Sequence, residues 1–248
     1  MDEKVVPVKA FILAGGLGTR LRPLTYEIAK LMIPIHGKPI LEHWIELFRK
    51  HNVQEIILSI GYKASQFMRY FGDGSKFGVR LRYIIEEKPL GTAGSLRLAK
   101  NLLRERFYMC NGDNLFSDMD LATLYNFHTS KGMLATIALK EVEDITGYGV
   151  VNLEEYKIKR FVEKPLAHEA PSKLINSGLY VLEPSVIDLI PEGRAVSIER
   201  EIWPVLASRE QLAGFLFQGQ WFPTDTWERY EKAFREWKGS GTHVGQLQ

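Results

Sequence analysis

A single cysteine, Cys110, is the only thiol in this chain of 248 residues, so no internal disulfide can form and a reducing, cytoplasmic setting is expected. Cys110 ends the apolar run Phe107 to Cys110, a place for a buried structural thiol rather than a nucleophile. Charge of one sign is also lacking. Thirty-two basic against thirty acidic side chains leave +2, too balanced for a nucleic-acid or membrane surface, so partners must be sought in local sites. No apolar stretch approaches the roughly 20 residues of a membrane-spanning helix, and Met1-Asp2-Glu3-Lys4 is not the start of a secretion signal. The histidines, His36, His43, His51, His128, His168 and His243, are scattered without ligand spacing, which speaks against a zinc site. Repeats and low-complexity segments are missing too.

What the chain does have is an ordered composition, 45% hydrophobic and 25% charged, and enough length for one large α/β domain. It is organised around Ala10 to Pro23, A-F-I-L-A-G-G-L-G-T-R-L-R-P. Phe11, Ile12 and Leu13 suit a strand covered on both faces of a parallel sheet. Gly15, Gly16 and Gly18 then allow a tight turn whose N-H groups approach an anion, with Thr19, Arg20 and Arg22 as further donors to phosphate oxygens. The turn is not a P-loop, since no Gly-Lys-Ser/Thr follows. It also lacks the third glycine of the dinucleotide fingerprint, where Leu21 stands, which speaks against a nicotinamide oxidoreductase. Beside such a loop, Lys30 or Lys38 can act as a counter-charge.

Downstream, the hydrophobic pattern predicts a helix over 40–50, a strand at Glu55 to Ile60, a helix to about Phe71, and a strand at Val79 to Ile85. A helix opening near Thr92, after P-L-G-T-A-G-S, places free N-H groups at the mouth of the sheet. The strand Phe107 to Cys110 ends at Asn111-Gly112-Asp113. A carboxylate just past the end of a buried strand suits a Mg²⁺ carrying phosphates, although Asp113 could equally cap the next turn. A helix at about Leu121 to His128 and a strand at Leu134 to Leu139 complete a βα alternation, which argues for a Rossmann-like, doubly wound, mostly parallel sheet. Beyond it, short strands at 147–151, 159–165 and 176–182 suggest a lobe inserted into the sheet. Helices are expected at 184–190 and 198–207, a strand at 212–217, and a last helix to about Trp237. The expected organisation is one domain over 1–238, with halves at about 9–140 and 141–225, followed by a frayed tail.

The ordered motifs L-A-G-G-L-G-T-R-L-R-P-L-T, K-L-M-I-P-I-H-G-K-P-I, P-L-G-T-A-G-S-L, N-G-D, G-Y-G-V-V, V-E-K-P and I-N-S-G-L-Y-V-L are specific. Together, over about Lys9 to Phe234, they resemble the sugar-1-phosphate nucleotidyltransferases, also called nucleotide-sugar pyrophosphorylases. The resemblance implies attack of a sugar-1-phosphate oxygen on the α-phosphorus of a nucleoside triphosphate, with pyrophosphate leaving in line. It implies that Leu13, Gly15, Gly16, Gly18, Thr19, Glu86, Gly91 and Thr92 bind the nucleotide, and that Arg20 and Lys30 neutralise phosphate charge. Gly149, Glu163, Lys164 and Asn176 would take the sugar and its phosphate, and Asp113 would hold Mg²⁺. Many members carry the second metal carboxylate in W-x-D-x-G-T, where a gapless match puts Pro223. The sequence W-F-P-T-D-T is closer to the form in glucose-1-phosphate cytidylyltransferases, which assigns the second carboxylate to Asp225. The implied partners are a nucleoside triphosphate and a sugar 1-phosphate, without nucleic acid or membrane, the chain acting alone or as a homo-oligomer.

The base and sugar are read from two disagreeing signals. P-L-G-T-A-G resembles mannose-1-phosphate guanylyltransferases, while W-F-P-T-D-T and P-S-V-I-D-L-I resemble the cytidylyl group. The thymidylyl members read the pyrimidine with a glutamine where Glu86 stands. An ionised carboxylate only accepts hydrogen bonds, which suits the N1-H and 2-amino group of guanine or the 4-amino group of cytosine. GTP with mannose-1-phosphate is the first expectation, and CTP or dTTP with glucose-1-phosphate the alternative. A non-catalytic nucleotide-sugar sensor on the same fold is a further one, against which Arg20 and Asp113 both speak. Glu86→Gln is expected to move the order of nucleotide preference toward dTTP and UTP, read by competition binding; an unchanged order would refute the role given to Glu86.

Overall fold

Along Lys9-Ala10-Phe11-Ile12-Leu13, alternate side chains meet different cores: Ala10 and Ile12 pack in one cluster and Phe11 in another. A strand buried on both faces needs helices on both sides, and the chain supplies them. The computed structural model describes residues 9–239. In chain order its strands are β1 (Lys9–Leu13), β2 (Pro34–Ile35), β3 (Lys38–Pro39), β4 (Glu55–Ile60), β5 (Arg80–Ile85), β6 (Phe107–Asn111) and β7 (Asn114–Phe116). They continue with β8 (Ala135–Glu141), β9 (Gly149–Glu154), β10 (Lys157–Glu163), β11 (Leu174–Leu182), β12 (Leu212–Leu216) and β13 (Trp221–Pro223). The α-helices are α1 (Ile40–Lys50), α2 (Ala64–Phe71), α3 (Gly91–Leu98), α4 (Leu121–Lys131), α5 (Trp203–Ser208) and α6 (Trp227–Glu236).

Nine strands form one sheet in the order β5-β4-β1-β6-β11-β8-β12-β10-β9. The strands β1, β4, β5, β6, β8, β9 and β12 run one way, and β10 and β11 run the other. The mostly parallel, Rossmann-like sheet is thus present. The second-half strands continue it, because β11 inserts between β6 and β8. Two small pairings lie outside the sheet, β2 with β3 and β7 with β13. The tail beyond 239 lies outside the described residues. No described helix is long and apolar enough to cross a membrane.

Two expected helices take other forms. Residues Pro184–Leu189 form a 3₁₀ turn. Residues Ile198–Ile202 form a π turn before α5. Pro204, inside the first turn of α5, has no N-H for the carbonyl four residues back, so an α-helical ladder cannot run unbroken from Ile198 to Ala207.

Helix α4 is tied to the sheet by a buried polar network. Its His128 shares a 2.8 Å hydrogen bond with Thr136 Oγ1 of β8 and lies 3.3 Å from Glu183 Oε1, just past β11. Arg106 Nε donates to the same Glu183 oxygen at 2.6 Å. Burial, with the Arg106 charge adding to it, lowers the imidazole pKa to about 4 against the opposing pull of Glu183. A histidine whose pKa is depressed on folding gives stability that is complete above its unfolded value, near 6.5, and lost as pH falls through the folded value. Urea melts are expected to show a loss on the order of 1–3 kcal/mol from this group between about pH 7 and 4.5. His128→Gln, less stable throughout, is expected to show a flatter profile.

Candidate active site

Two adjoining pockets open at the carboxyl ends of β1 and β6, where an open α/β sheet binds its ligands. The first, about 320 Å³, is lined by Leu13, Gly15, Gly16, Glu86, Gly91 and Thr92, together with Lys30 and Asp113. The glycine turn reaches it through Gly15 and Gly16, and behind them Gly18 holds φ 61°. A Cβ there would stand 2.8 Å from Thr25 Cγ2 and 3.1 Å from Lys30 Cβ, so only glycine lets the lysine stem pass. Across the pocket, Glu86 is held at both oxygens: Ser59 Oγ donates to Oε1 at 2.7 Å and the Leu90 N-H to Oε2 at 3.1 Å. Its carboxylate therefore has a set direction. Each oxygen keeps a lone pair for a ligand.

The second pocket, about 170 Å³, is lined by Gly149, Glu163, Lys164, Asn176 and Asp225, and also by Asn111 and Asp113, which line the first as well. Lys164 holds φ 52°, a conformation a lysine adopts at a cost of about 1–3 kcal/mol, and such residues cluster at ligand sites. Burial, then the nearby Glu199 charge, raises the Glu163 carboxyl, with Lys164 opposing. Asn176 sits where β11 shifts register. Its Nδ2 donates to Tyr180 Oη at 2.9 Å and its Oδ1 accepts from the Gly178 N-H at 2.9 Å.

The charges of the site are paired across it. Lys30 Nζ donates to Asp113 Oδ2 at 2.5 Å, and Arg20 lies 2.7 Å from Asp225 Oδ2. Arg229 grips the Asp225 carboxylate from α6 with contacts of 3.0 and 3.2 Å, and its guanidinium lies 4.4 Å from the Tyr148 ring centre. Burial alone would raise the Asp225 carboxyl. The Arg229 hydrogen bonds and charge, followed by the charges of Arg20 and Lys30, hold it below the usual range instead. The two carboxylates are tied through the backbone, because Thr224 donates from both its N-H and its hydroxyl to the Asp113 carbonyl, each at 2.8 Å. The pairing of β7 with β13 sets up that contact.

The sequence-predicted residues divide accordingly. Gly18, Thr19 and Arg20 line neither pocket, and Arg20 reaches the second through Asp225. Thr92 lines the first pocket, but its hydroxyl donates to Glu199 at 2.6 Å and accepts from the Ile198 N-H at 2.9 Å. Sequence reasoning missed Glu199, Arg229, Thr224 and Asn111. Asn111, which opens N-G-D, and Thr224, inside W-F-P-T-D-T, carried a local signal.

The profile of the nucleotidyl transferase family matches residues 9–239. A mannose-1-phosphate guanylyltransferase of Mycobacterium tuberculosis is 41% identical over 200 residues, which cover 80% of this chain and 55% of that protein. A UTP-glucose-1-phosphate uridylyltransferase of Synechocystis is 40% identical over 214 residues, again 80% of this chain and 55% of the relative. The chain thus spans little more than half the length of these curated relatives. Among solved structures, HddC from Yersinia pseudotuberculosis complexed with GMP-PN superposes with a TM-score of 0.76 at 29% identity, over 93% of this chain and 99% of that one. With the sheet, the glycine turn and the family match over its whole described length, the chain belongs to the nucleotidyl transferase family.

Proposed function

We propose that the chain condenses a nucleoside triphosphate with a hexose 1-phosphate to give a nucleotide-sugar and pyrophosphate. The observation that carries this reading is that the two pockets share Asn111 and Asp113, so ligands filling both bring their phosphates together at one carboxylate. An oxygen of the sugar phosphate forms the new bond to the α-phosphorus, and the bond from that phosphorus to the bridging oxygen breaks, its electron pair leaving with pyrophosphate. A phosphate dianion is already a nucleophile near neutral pH, so the protein's task is positioning and charge neutralisation rather than proton removal.

Glu86 supports GTP as the nucleotide, since its fixed carboxylate matches the adjacent donors of guanine. The guanylyltransferase name of the mycobacterial relative and the GMP-PN bound by HddC point the same way, and mannose-1-phosphate is the accompanying sugar phosphate. Lys164, Glu163 and Asn176 line the second pocket, where Lys164 would meet the sugar phosphate and the other two its hydroxyls. Lys30 and Arg20 would turn from their carboxylates to phosphate oxygens as substrate enters.

Asp113 and Asp225 fit a Mg²⁺ ion. Both line the second pocket, both offer only oxygen, and a pair of carboxylates completed by substrate phosphates is the usual protein share of a Mg²⁺ site. When bound, the ion supplies charge neutralisation at the reacting phosphate.

Pyrophosphate release with Mg²⁺, taking GTP, CTP, dTTP, UTP and ATP each against mannose-1-phosphate and glucose-1-phosphate, is expected to be greatest for GTP with mannose-1-phosphate. Asp113→Asn is expected to lower that rate about 100-fold or more. The proposal fails if folded, nucleotide-binding protein releases no pyrophosphate with any pair, or if Asp113→Asn keeps full activity.

A further inference from the structure

The loop that walls the first pocket and the segment that walls the second are stitched together. The Val196 N-H donates to the Leu90 carbonyl at 2.8 Å and the Ala93 N-H to the Val196 carbonyl at 2.9 Å. Between them, Gly91 holds φ 74°, and a Cβ on it would stand 2.5 Å from the Val196 carbonyl oxygen, so the two strands of chain lie as close as glycine allows. The next contacts are made by side chains. The Thr92 hydroxyl donates to Glu199 Oε2 at 2.6 Å, and Ser197 Oγ donates to the same oxygen at 2.7 Å. Both internal donors thus converge on Oε2, and Oε1 accepts from no described residue.

Glu199 is half-buried, lines the second pocket, and forms no ion pair with a described residue. Such a carboxylate, withdrawn from water without a cation, costs stability unless something else supplies donors to it. It stands on the π turn Ile198–Ile202, an irregularity of the kind found at functional sites. Asn111 lines the same pocket, and its Oδ1 is buried without a hydrogen-bond partner.

We propose that Glu199 selects the sugar: its open carboxylate oxygen accepts a hydroxyl of the hexose, and Thr92 is the positioning residue that aims it. This rests on the transfer reading above and names the chemistry of its acceptor. Glu163 and Glu199 accept hydrogen bonds from hydroxyls and repel anions, so the pocket takes an unsubstituted hexose 1-phosphate and rejects a uronic acid 1-phosphate or a hexose bisphosphate. The threonine joins the wall of the nucleotide pocket to the sugar-selecting group. Its hydroxyl, already used twice, serves the sugar side rather than the nucleotide.

The test compares the parent chain with Glu199→Ala, the near-isosteric Glu199→Gln, Thr92→Val and Thr92→Ser. The substrates are GTP with mannose-1-phosphate, its monodeoxy analogues and glucuronic acid 1-phosphate. Turnover and calorimetric binding are both read. Glu199→Ala is expected to raise the KM and Kd of mannose-1-phosphate about 10-fold or more while the KM of GTP stays within about two-fold. One monodeoxy analogue, missing the hydroxyl that Glu199 holds, is expected to behave alike in parent and variant. Thr92→Val is expected to follow in the same direction, with Thr92→Ser restoring the parent value. An unchanged sugar-phosphate affinity in both Glu199 variants, or a loss equal for every analogue, overturns the inference. If the parent binds sugar phosphates without releasing pyrophosphate, the transfer reading falls while the binding series still decides the role of Glu199.

Discussion

Two carboxylates and their cations must share one small space at the ends of β1 and β6, and the site depends on their neutralising each other. Unpaired, Asp113 and Asp225 would bring two like charges into one pocket. Lys30 and Arg20 prevent this by standing against one carboxylate each. The hold is unequal by design of position. Arg20 is 59% exposed, and an ion pair that open to water is weak enough to exchange. Arg229 is the durable partner, because it meets both oxygens of Asp225, donates to the Thr146 carbonyl and lies against Tyr148. A polyanion can therefore draw Arg20 away without leaving Asp225 bare.

Backbone hydrogen bonds provide the coarser placement. Thr224 reaches Asp113 across 111 positions of sequence, and the Leu90–Ala93 loop is laced to Val196 and Ile198 across about as many. Side chains at the ends of these laces, Asp225 beside Thr224 and Glu199 beside Ile198, are carried to the second pocket by them, and contacts with Arg229 and Thr92 then set their direction. The first and second pockets are consequently one mechanical unit.

Much of this was legible in the order of residues. The strand before the glycine turn, the βα alternation through β8 and the carboxylate after β6 all follow from burial period and punctuation, which are local. Less legible was the second half, where β9 to β12 complete the first-half sheet instead of standing apart. Their pattern of short strands and long loops does not reveal which edge they will join. The break in the expected helix over 198–207 was signalled by Pro204, yet the π turn that answers it starts at Ile198, whose N-H is held by the distant Thr92 hydroxyl. Arg229 was hidden in an ordinary amphipathic helix, where nothing distinguishes one arginine from its charged neighbours.

Sequence by itself determined the fold class, the glycine turn and the charged residue types beside it, because hydrophobic period, backbone freedom and charge are carried by each stretch alone. Only the tertiary structure decided which cation faces which carboxylate, that the Thr92 hydroxyl is used by Glu199, and that Asp113 belongs to both pockets. Those are relations between segments distant along the chain. Hydrogen bonds and ion pairs act over a few ångströms, so a contact exists only once the sheet has brought its two ends together.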